Sequence, residues 1–310
     1  MRLVFMGTPD FAVPCLEAVL SAGHEVAAVY SQPDKPVGRK QEIRPTPVKA
    51  CALAHGLEVR QPASLRSPEE VERLRETAPD CVVVVAYGKL IPADMLALPP
   101  KGFLNVHGSL LPRYRGAAPI QWAVINGDAV TGVTTMLLDE GMDTGAILEK
   151  AETPIGAEET SGELFDRLSV LGAKLLVSTL EKWERGDLTP LPQDESLATH
   201  APILKKEMAR LDFSRSAQSL CCSVRGFSPW PVAYTTLEGK RLKIYSAAVG
   251  GATSAPVGAL LQQGETLAVA CGDGRTLELR ELQLEGGRRM TAAEWLKGRP
   301  VVPGTTLGNQ

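Results

Sequence analysis

The chain has 310 residues, 44% hydrophobic and 22% charged, which excludes intrinsically disordered, collagen-like and coiled-coil classes. That length exceeds what one core usually organises, so two domains are expected; the longest apolar run, 81–86, is far shorter than the roughly 20 residues of a membrane-spanning helix. The formal charge of −3 is uneven: residues 1–208 carry −7 and residues 209–310 carry +4, a basic last third that suits contact with a polyanion.

In chain order, apolar runs rich in Val, Leu and Ile occur at 2–6, 25–29, 81–86, 103–106 and 132–138. Helices are expected between them at 11–21, 45–54, 68–76 and 119–126, three of which begin at or beside a proline, a favoured residue of the first helical turn. This alternation predicts an α/β fold, a mostly parallel Rossmann-like sheet with helices on both faces. A basic island spans 32–49, where Lys35, Arg39, Lys40, Arg44 and Lys49 face only Asp34 and Glu42. Leu164, Leu168, Leu171 and Leu175 recur at helical spacing and predict a long amphipathic helix over 161–185, closed by Gly186. Periodicity then disappears, and Pro190, Pro192 and Pro202 punctuate a polar linker. Beyond it come a helix over 216–225 and strands at 233–236, 242–247, 259–262, 266–270 and 276–285, the pattern of a small OB-like β-barrel. The expected division is therefore 1–188 for the α/β domain, 189–208 for the linker and 209–310 for the barrel. Cys15, Cys51, Cys81, Cys221, Cys222 and Cys271 form no C-x-x-C pair and sit mostly in apolar segments, so neither a disulfide nor a structural zinc is expected. The first residues lack the basic, apolar and small-residue succession of a signal peptide, and a cytoplasmic location is expected.

Several motifs are missing. The turn after the first strand, Met6-Gly7-Thr8-Pro9-Asp10, has one glycine where a dinucleotide fold needs G-x-G-x-x-G. No G-x-x-x-x-G-K-[ST], H-E-x-x-H or G-x-S-x-G occurs, so P-loop, zinc-protease and α/β-hydrolase chemistries lack their central motif.

The chemistry lies elsewhere. The strand at 103–106 runs into Asn105-Val106-His107-Gly108-Ser109, and residues two apart share one side of a strand. At the carboxyl end of a strand in an open α/β sheet, an amide donor and an imidazole suit a reaction passing through a tetrahedral oxyanion. A second strand end carries the acidic, glycine-flanked loop Asp139-Glu140-Gly141-Met142-Asp143-Thr144-Gly145, whose Asp143 suits either orienting His107 or holding a water beside it. Each element alone is more often a turn or a satisfied histidine; their combination carries the reading.

These residues resemble the folate-dependent formyltransferases over nearly the whole chain. The likeness runs from Gly7-Thr8-Pro9-Asp10-Phe11-Ala12 through Gln32-Pro33-Asp34, Ala86-Tyr87-Gly88, the block from Asn105 to Pro119 and Asp139 to Gly145, to Thr199-His200-Ala201-Pro202 and Phe227-Ser228-Pro229-Trp230-Pro231. The resemblance implies Asn105, His107 and Asp143 as the catalytic set, with Asn105 and His107 stabilising the oxyanion and Asp143 tuning His107. It implies 10-formyltetrahydrofolate as formyl donor and no metal. Folate contacts are implied for Ser109, Leu110, Leu111 and Pro112, for Tyr87, Gly88, Lys89 and Leu90, and for Asp139. Gly116-Ala117-Ala118-Pro119 and the basic last third imply initiator methionyl-tRNA as acceptor, bound through Arg39, Lys35, Lys40, Arg44 and Lys206, with the protein acting as a monomer. The sequence departs from the family where Lys89 replaces an apolar residue and Phe213 stands in place of Trp. Two alternatives remain at this point: a formyltransferase acting on an amino sugar nucleotide, and a non-enzymatic RNA-binding protein.

Overall fold

The computed structural model describes residues 1–37 and 42–308, in two compact units. The first unit comprises residues 1–119, 130–154 and 165–201; the second comprises 120–129, 155–164 and 202–310. The chain thus contributes two short internal segments to the second unit before reaching its last third.

The elements in chain order are β1 (Arg2–Gly7), α1 (Val13–Ser21), β2 (Glu25–Tyr30), β3 (Lys35–Val37), β4 (Glu42–Arg44), α2 (Pro47–Ala54), β5 (Val59–Arg60), α3 (Pro68–Thr77), β6 (Cys81–Val85), α4 (Ala93–Leu96) and β7 (Phe103–His107). They continue with α5 (Pro119–Ile125), β8 (Val130–Leu137), β9 (Ile147–Pro154), α6 (Ser161–Arg185), α7 (Ala217–Gly226), β10 (Ala233–Leu237), β11 (Lys240–Ala252), β12 (Leu260–Gln263), β13 (Thr266–Ala270), β14 (Arg275–Leu284), β15 (Met290–Thr291) and α8 (Ala292–Gly298).

The sheet of the first unit has the order β5-β2-β1-β6-β7-β8-β9. Neighbours from β5 to β7 pair in parallel, while β8 and β9 pair antiparallel. Val4, Met6, Val82, Val84 and Phe103 project from the central strands into one core with Tyr30, Leu74 and Met95. Val82, Val83 and Val84 are all buried, as befits a strand covered on both faces. The helices start where their caps dictate: the Thr46 and Ser67 side chains accept from the backbone N–H of Lys49 and Glu70, and a proline follows each cap. The long helix spans the expected 161–185, with Gly186 after it in the left-handed region at φ +79°. The expectation of a mostly parallel sheet holds; the short strands β3, β4 and β5 were not expected, and neither was the longer β9. Glu149, Lys150 and Glu152 interrupt its apolar residues because it is an edge strand with an exposed face.

In the second unit the antiparallel order is β10-β11-β14-β13-β12, with β15 on β14. The last residues join the two ends of this path: Leu260 N–H donates to Thr305 O, Leu307 N–H to Gly258 O, and Gly308 N–H to Thr236 O. β11 is longer than expected, 13 residues with register shifts that let it bend along β14. The internal segments are tied in tightly. The Ser161 hydroxyl donates to Gly226 O at 2.9 Å and Ser228 O at 2.6 Å, and a Cβ on Gly226 would stand 2.3 Å from a side-chain carbon of Ile125.

Candidate active site

The carboxyl ends of β1, β2, β6 and β7 form one rim of the first unit, the edge where open α/β sheets receive ligands. The Tyr87 carbonyl gathers this rim, accepting from Thr8 Oγ1 and Gln32 Nε2 at 3.1 Å each. Gln61 donates to Gln32 O and Asp34 Oδ1 at 2.7 Å each, and Lys49 Nζ donates to Asp34 Oδ2 at 2.5 Å. The hydrogen bonds from Lys49 and Gln61 hold the Asp34 carboxyl below the usual carboxylate range.

Asn105 and His107 flank Val106 at the end of β7 and are only 8% and 6% exposed. His107 Nε2 lies 2.9 Å from Tyr114 O. A carbonyl can only accept, so the network assigns the proton to Nε2 and leaves Nδ1 turned toward Asp143, whose Oδ2 is 3.7 Å away. Among the described residues the Asn105 side-chain amide has no hydrogen-bond partner. An amide that its own chain leaves free at an open rim can donate to a ligand.

Asp143 is placed by strained, over-determined backbone. Its φ is +55°, Tyr114 has φ +61° and Gly116 has φ +117°. Gly116 N–H donates to Asp143 Oδ2 at 2.8 Å. Gln193 Nε2 donates to the carbonyls of Asp143 and Gly145, both at 2.8 Å, while its own oxygen accepts from Arg115 Nε and Nη2. Arg115 is itself buried and bonds both oxygens of Glu195 at 2.7 and 2.8 Å, so its guanidinium pKa is raised. A chain of contacts therefore runs from Glu195 through Arg115 and Gln193 to the acidic loop. Sequence reasoning gave Tyr114, Arg115 and Gln193 no role and read Gly116 only within the acceptor motif, because a backbone carbonyl or amide leaves no composition signal and Gln193, which Arg115 holds, lies in the proline-punctuated stretch read as a linker.

The other candidate residues are placed as follows. Ser109 is buried; its hydroxyl donates to Arg113 O at 2.7 Å and its carbonyl accepts from Thr134 Oγ1 at 2.6 Å. Leu110 is partly buried beside it, and Leu111 packs with Met136 and Ile147 ahead of a cis peptide to Pro112. Tyr87 sinks its ring into the core, where its hydroxyl has no partner, so it offers the rim its backbone alone. Gly88 has φ +83°, Leu90 is exposed, and Lys89 Nζ donates to the carbonyls of Pro62 and Ala63 at 2.7 and 2.8 Å. Asp139 Oδ1 accepts from Gly141 N–H and Thr144 Oγ1, folding the acidic loop upon itself. Asn105, His107 and Asp143 are thus brought to one rim, with the backbone of 87–88 at its neighbouring strand end.

The basic candidates form a separate feature. Lys35 and Arg44 are register partners across the exposed β3–β4 pair, where Arg44 is ion-paired with Glu42 at 2.8 Å. Arg39 and Lys40 lie outside the described residues. Lys206, in the second unit, is exposed on a short 3₁₀ turn, Lys206–Ala209.

The model of the family described as "Formyl transferase" matches residues 1–180, and that described as "Formyl transferase, C-terminal domain" matches residues 203–300. A methionyl-tRNA formyltransferase of Citrifermentans bemidjiense is 48% identical over 100% of this chain and 97% of its own length. That of Solibacter usitatus is 52% identical over 99% of each. Among solved structures, the N-formyltransferase of Helicobacter canadensis in complex with folinic acid and dTDP-3-aminofucose superposes with TM-score 0.68 at 17% identity, covering 90% of this chain and 98% of its own. HypX from Aquifex aeolicus in complex with tetrahydrofolic acid gives TM-score 0.63 at 18% identity, covering 100% of this chain and 51% of its own. At these identities the two structures establish a shared fold.

Proposed function

Since the chain belongs to the formyl transferase family, with methionyl-tRNA formyltransferases nearly half identical to it over its full length, we propose a division of labour among its residues for formyl transfer to the amino group of methionyl initiator tRNA. The reaction draws on a folate-derived formyl donor, and we assign 10-formyltetrahydrofolate to that role. The single observation that carries the assignment is the partnerless Asn105 amide two residues before His107 at the end of β7.

Asn105 donates to the formyl oxygen as it becomes negative while the new carbon–nitrogen bond forms. His107, with Nε2–H engaged by Tyr114 O, uses Nδ1 to take the proton shed by the attacking amine, and returns it to the leaving nitrogen as the old carbon–nitrogen bond breaks. Asp143 faces the imidazolium formed between these two transfers and stabilises it. A free α-amino group has a pKa of about 7.7 to 8.0, so a substantial neutral fraction exists near pH 7 and positioning supplies much of the rate. This division gives His107 the proton rather than the oxyanion, a refinement of the role implied by resemblance alone.

Ser109, Leu110, Leu111, Pro112 and Asp139, with the backbone of 87–90, are assigned to the folate. Lys35, Arg39, Lys40, Arg44 and Lys206 are assigned to the tRNA phosphates, with residues 1–188 as the catalytic portion, 189–208 as the connection and 209–310 as the tRNA-binding portion. We take the enzyme to act as a monomer in the cytoplasm, where its aminoacyl-tRNA is consumed by translation. Residues described as connection also serve the catalytic rim, since Gln193 and Glu195 anchor the acidic loop.

The decisive experiment compares formyl transfer from 10-formyltetrahydrofolate to initiator methionyl-tRNA, elongator methionyl-tRNA and an amino sugar nucleotide. Rapid transfer to the initiator alone is expected. Transfer to the sugar nucleotide, or none despite bound folate, would overturn the acceptor.

A further inference from the structure

Helices α1 and α2 of the first unit bring Glu17, Cys51 and His55 together, with one ligand atom of each within 4.8 Å of the other two. Cys51 and His55 are four residues apart at the end of α2, so they share a helix face; Glu17 reaches them from the middle of α1. Cys51 is half-buried, while Glu17 and His55 are exposed. Among the described residues, none of the three side chains has a hydrogen-bond or ion-pair partner elsewhere that would explain the convergence.

We propose that Glu17, Cys51 and His55 form a Zn²⁺ site that clips α1 to α2. A thiolate, an imidazole and a carboxylate are the three donor types that zinc takes in proteins, and three protein ligands leave a fourth tetrahedral position for water. Sulfur in the set favours zinc over magnesium or calcium, which prefer oxygen alone. Tetrahedral metal–ligand bonds of about 2.0 to 2.3 Å put the donors about 3.3 to 3.8 Å apart, so a set within 4.8 Å must draw in by about 1 Å, which side-chain rotation allows at a surface. Binding transfers the Cys51 thiol proton to solvent and leaves the thiolate on the metal, with no change of oxidation state. The site escaped sequence reading because its cysteine and histidine are C-x-x-x-H on one helix and its third ligand lies 34 positions earlier, outside any zinc-ribbon or finger spacing.

The clip has a mechanical role. α2 follows directly on β4, and its first turn is anchored at the rim through Lys49 and Asp34. Metal at the far end would fix the helix at both ends and so steady the strand pair that carries Lys35 and Arg44.

The test uses the full chain without an affinity tag, freed of metal and titrated with Zn²⁺ against a chromophoric chelator, then with Co²⁺ followed by absorption. One equivalent of Zn²⁺ and a near-ultraviolet thiolate-to-cobalt band are expected. Both are lost in Cys51→Ser, binding is at least about tenfold weaker in His55→Ala and Glu17→Gln, and Cys221→Ser behaves as wild type. Zn²⁺ raises the thermal midpoint of the wild type and leaves that of Cys51→Ser unmoved, as ligation of the native state requires. Formyl transfer by the variants reports that they are folded. Zinc affinity equal in wild type and Cys51→Ser, or a cobalt spectrum without the thiolate band, would overturn the site.

Discussion

Gly116 donates its amide to Asp143 Oδ2 at 2.8 Å, and that same oxygen lies 3.7 Å from His107 Nδ1. One backbone N–H therefore aims the carboxylate at the imidazole. The position tolerates no side chain: φ is +117°, and a Cβ would stand 2.8 Å from Ala201 O. Gly116→Ala is expected to lose about 1 to 3 kcal/mol of stability, the usual cost of such backbone strain, and to lower kcat by releasing Asp143. Urea unfolding and steady-state kinetics on the same preparation check both; an unchanged kcat would separate Gly116 from the carboxylate.

Removing a single oxyanion donor typically costs on the order of 100-fold to 1,000-fold in kcat. Asn105→Ala is expected to show a loss of that order with little change in folate affinity, because the amide acts on the transition state. Single-turnover formyl transfer, beside fluorescence titration with a folate analogue, measures the two separately. A rate like the wild type would remove Asn105 from the mechanism.

Gln193 holds two carbonyls of the acidic loop while Arg115 holds Gln193. Gln193→Ala is expected to destabilise the protein by about 1 to 3 kcal/mol, leaving Arg115 and the loop carbonyls short of partners. Its kcat should fall several-fold with KM for folate nearly unchanged, and Gln193→Glu should not rescue it, since a carboxylate cannot donate to the two carbonyls. Rescue by Gln193→Glu would mean that charge, and not donation, positions the loop.

Each phosphate contact contributes about 0.7 to 0.9 to the slope of log affinity against log salt. Arg39→Ala, Lys35→Ala and Arg44→Ala are each expected to weaken tRNA binding and flatten that slope by up to one such step, while folate binding stays intact. Filter binding across a salt series gives the slopes. Slopes equal to the wild type in all three variants would move the tRNA elsewhere.

The Asp34 carboxyl titrates below its ordinary range because Lys49 and Gln61 donate to it. A folded-state pKa depressed below the unfolded one adds stability that is complete above the unfolded value, about 3.9, and disappears as pH falls through the folded one. Asp34→Asn should therefore be less stable than wild type at pH 7, with the gap closing below about pH 4. Denaturant midpoints at both pH values test this, and a gap independent of pH would mean that the ion pair contributes nothing.

The sequence displayed the architecture where periodicity and caps agree. The strand at 81–85 is apolar throughout and those at 2–7 and 103–107 are buried and largely apolar because both faces are covered, and Ser161 to Gly186 carries an apolar stripe with a terminating glycine. β9 was hidden because an edge strand alternates with charges, and α8 because its seven residues are too few for a period, although Thr291 and Glu294 form a capping box. In the site, Asn105, His107 and Asp143 were readable from two polar clusters at strand ends. What orients them was not: Tyr114 and Gly116 act through backbone atoms, and Gln193 acts 50 positions from the loop it holds. Side-chain chemistry leaves a mark in the sequence, whereas a carbonyl used as an acceptor is common to every residue.

The interleaving of the two units limits how the protein can be dissected. A fragment ending near residue 201 would still carry Ile125 and Ser161 but would lack Gly226 and Ser228, the surfaces on which they rest. An isolated last third would have the converse defect, an uncovered seat for two missing segments. A cut that separates the units of this chain must therefore decide where residues 120–129 and 155–164 go, since a single break leaves them with the wrong partner.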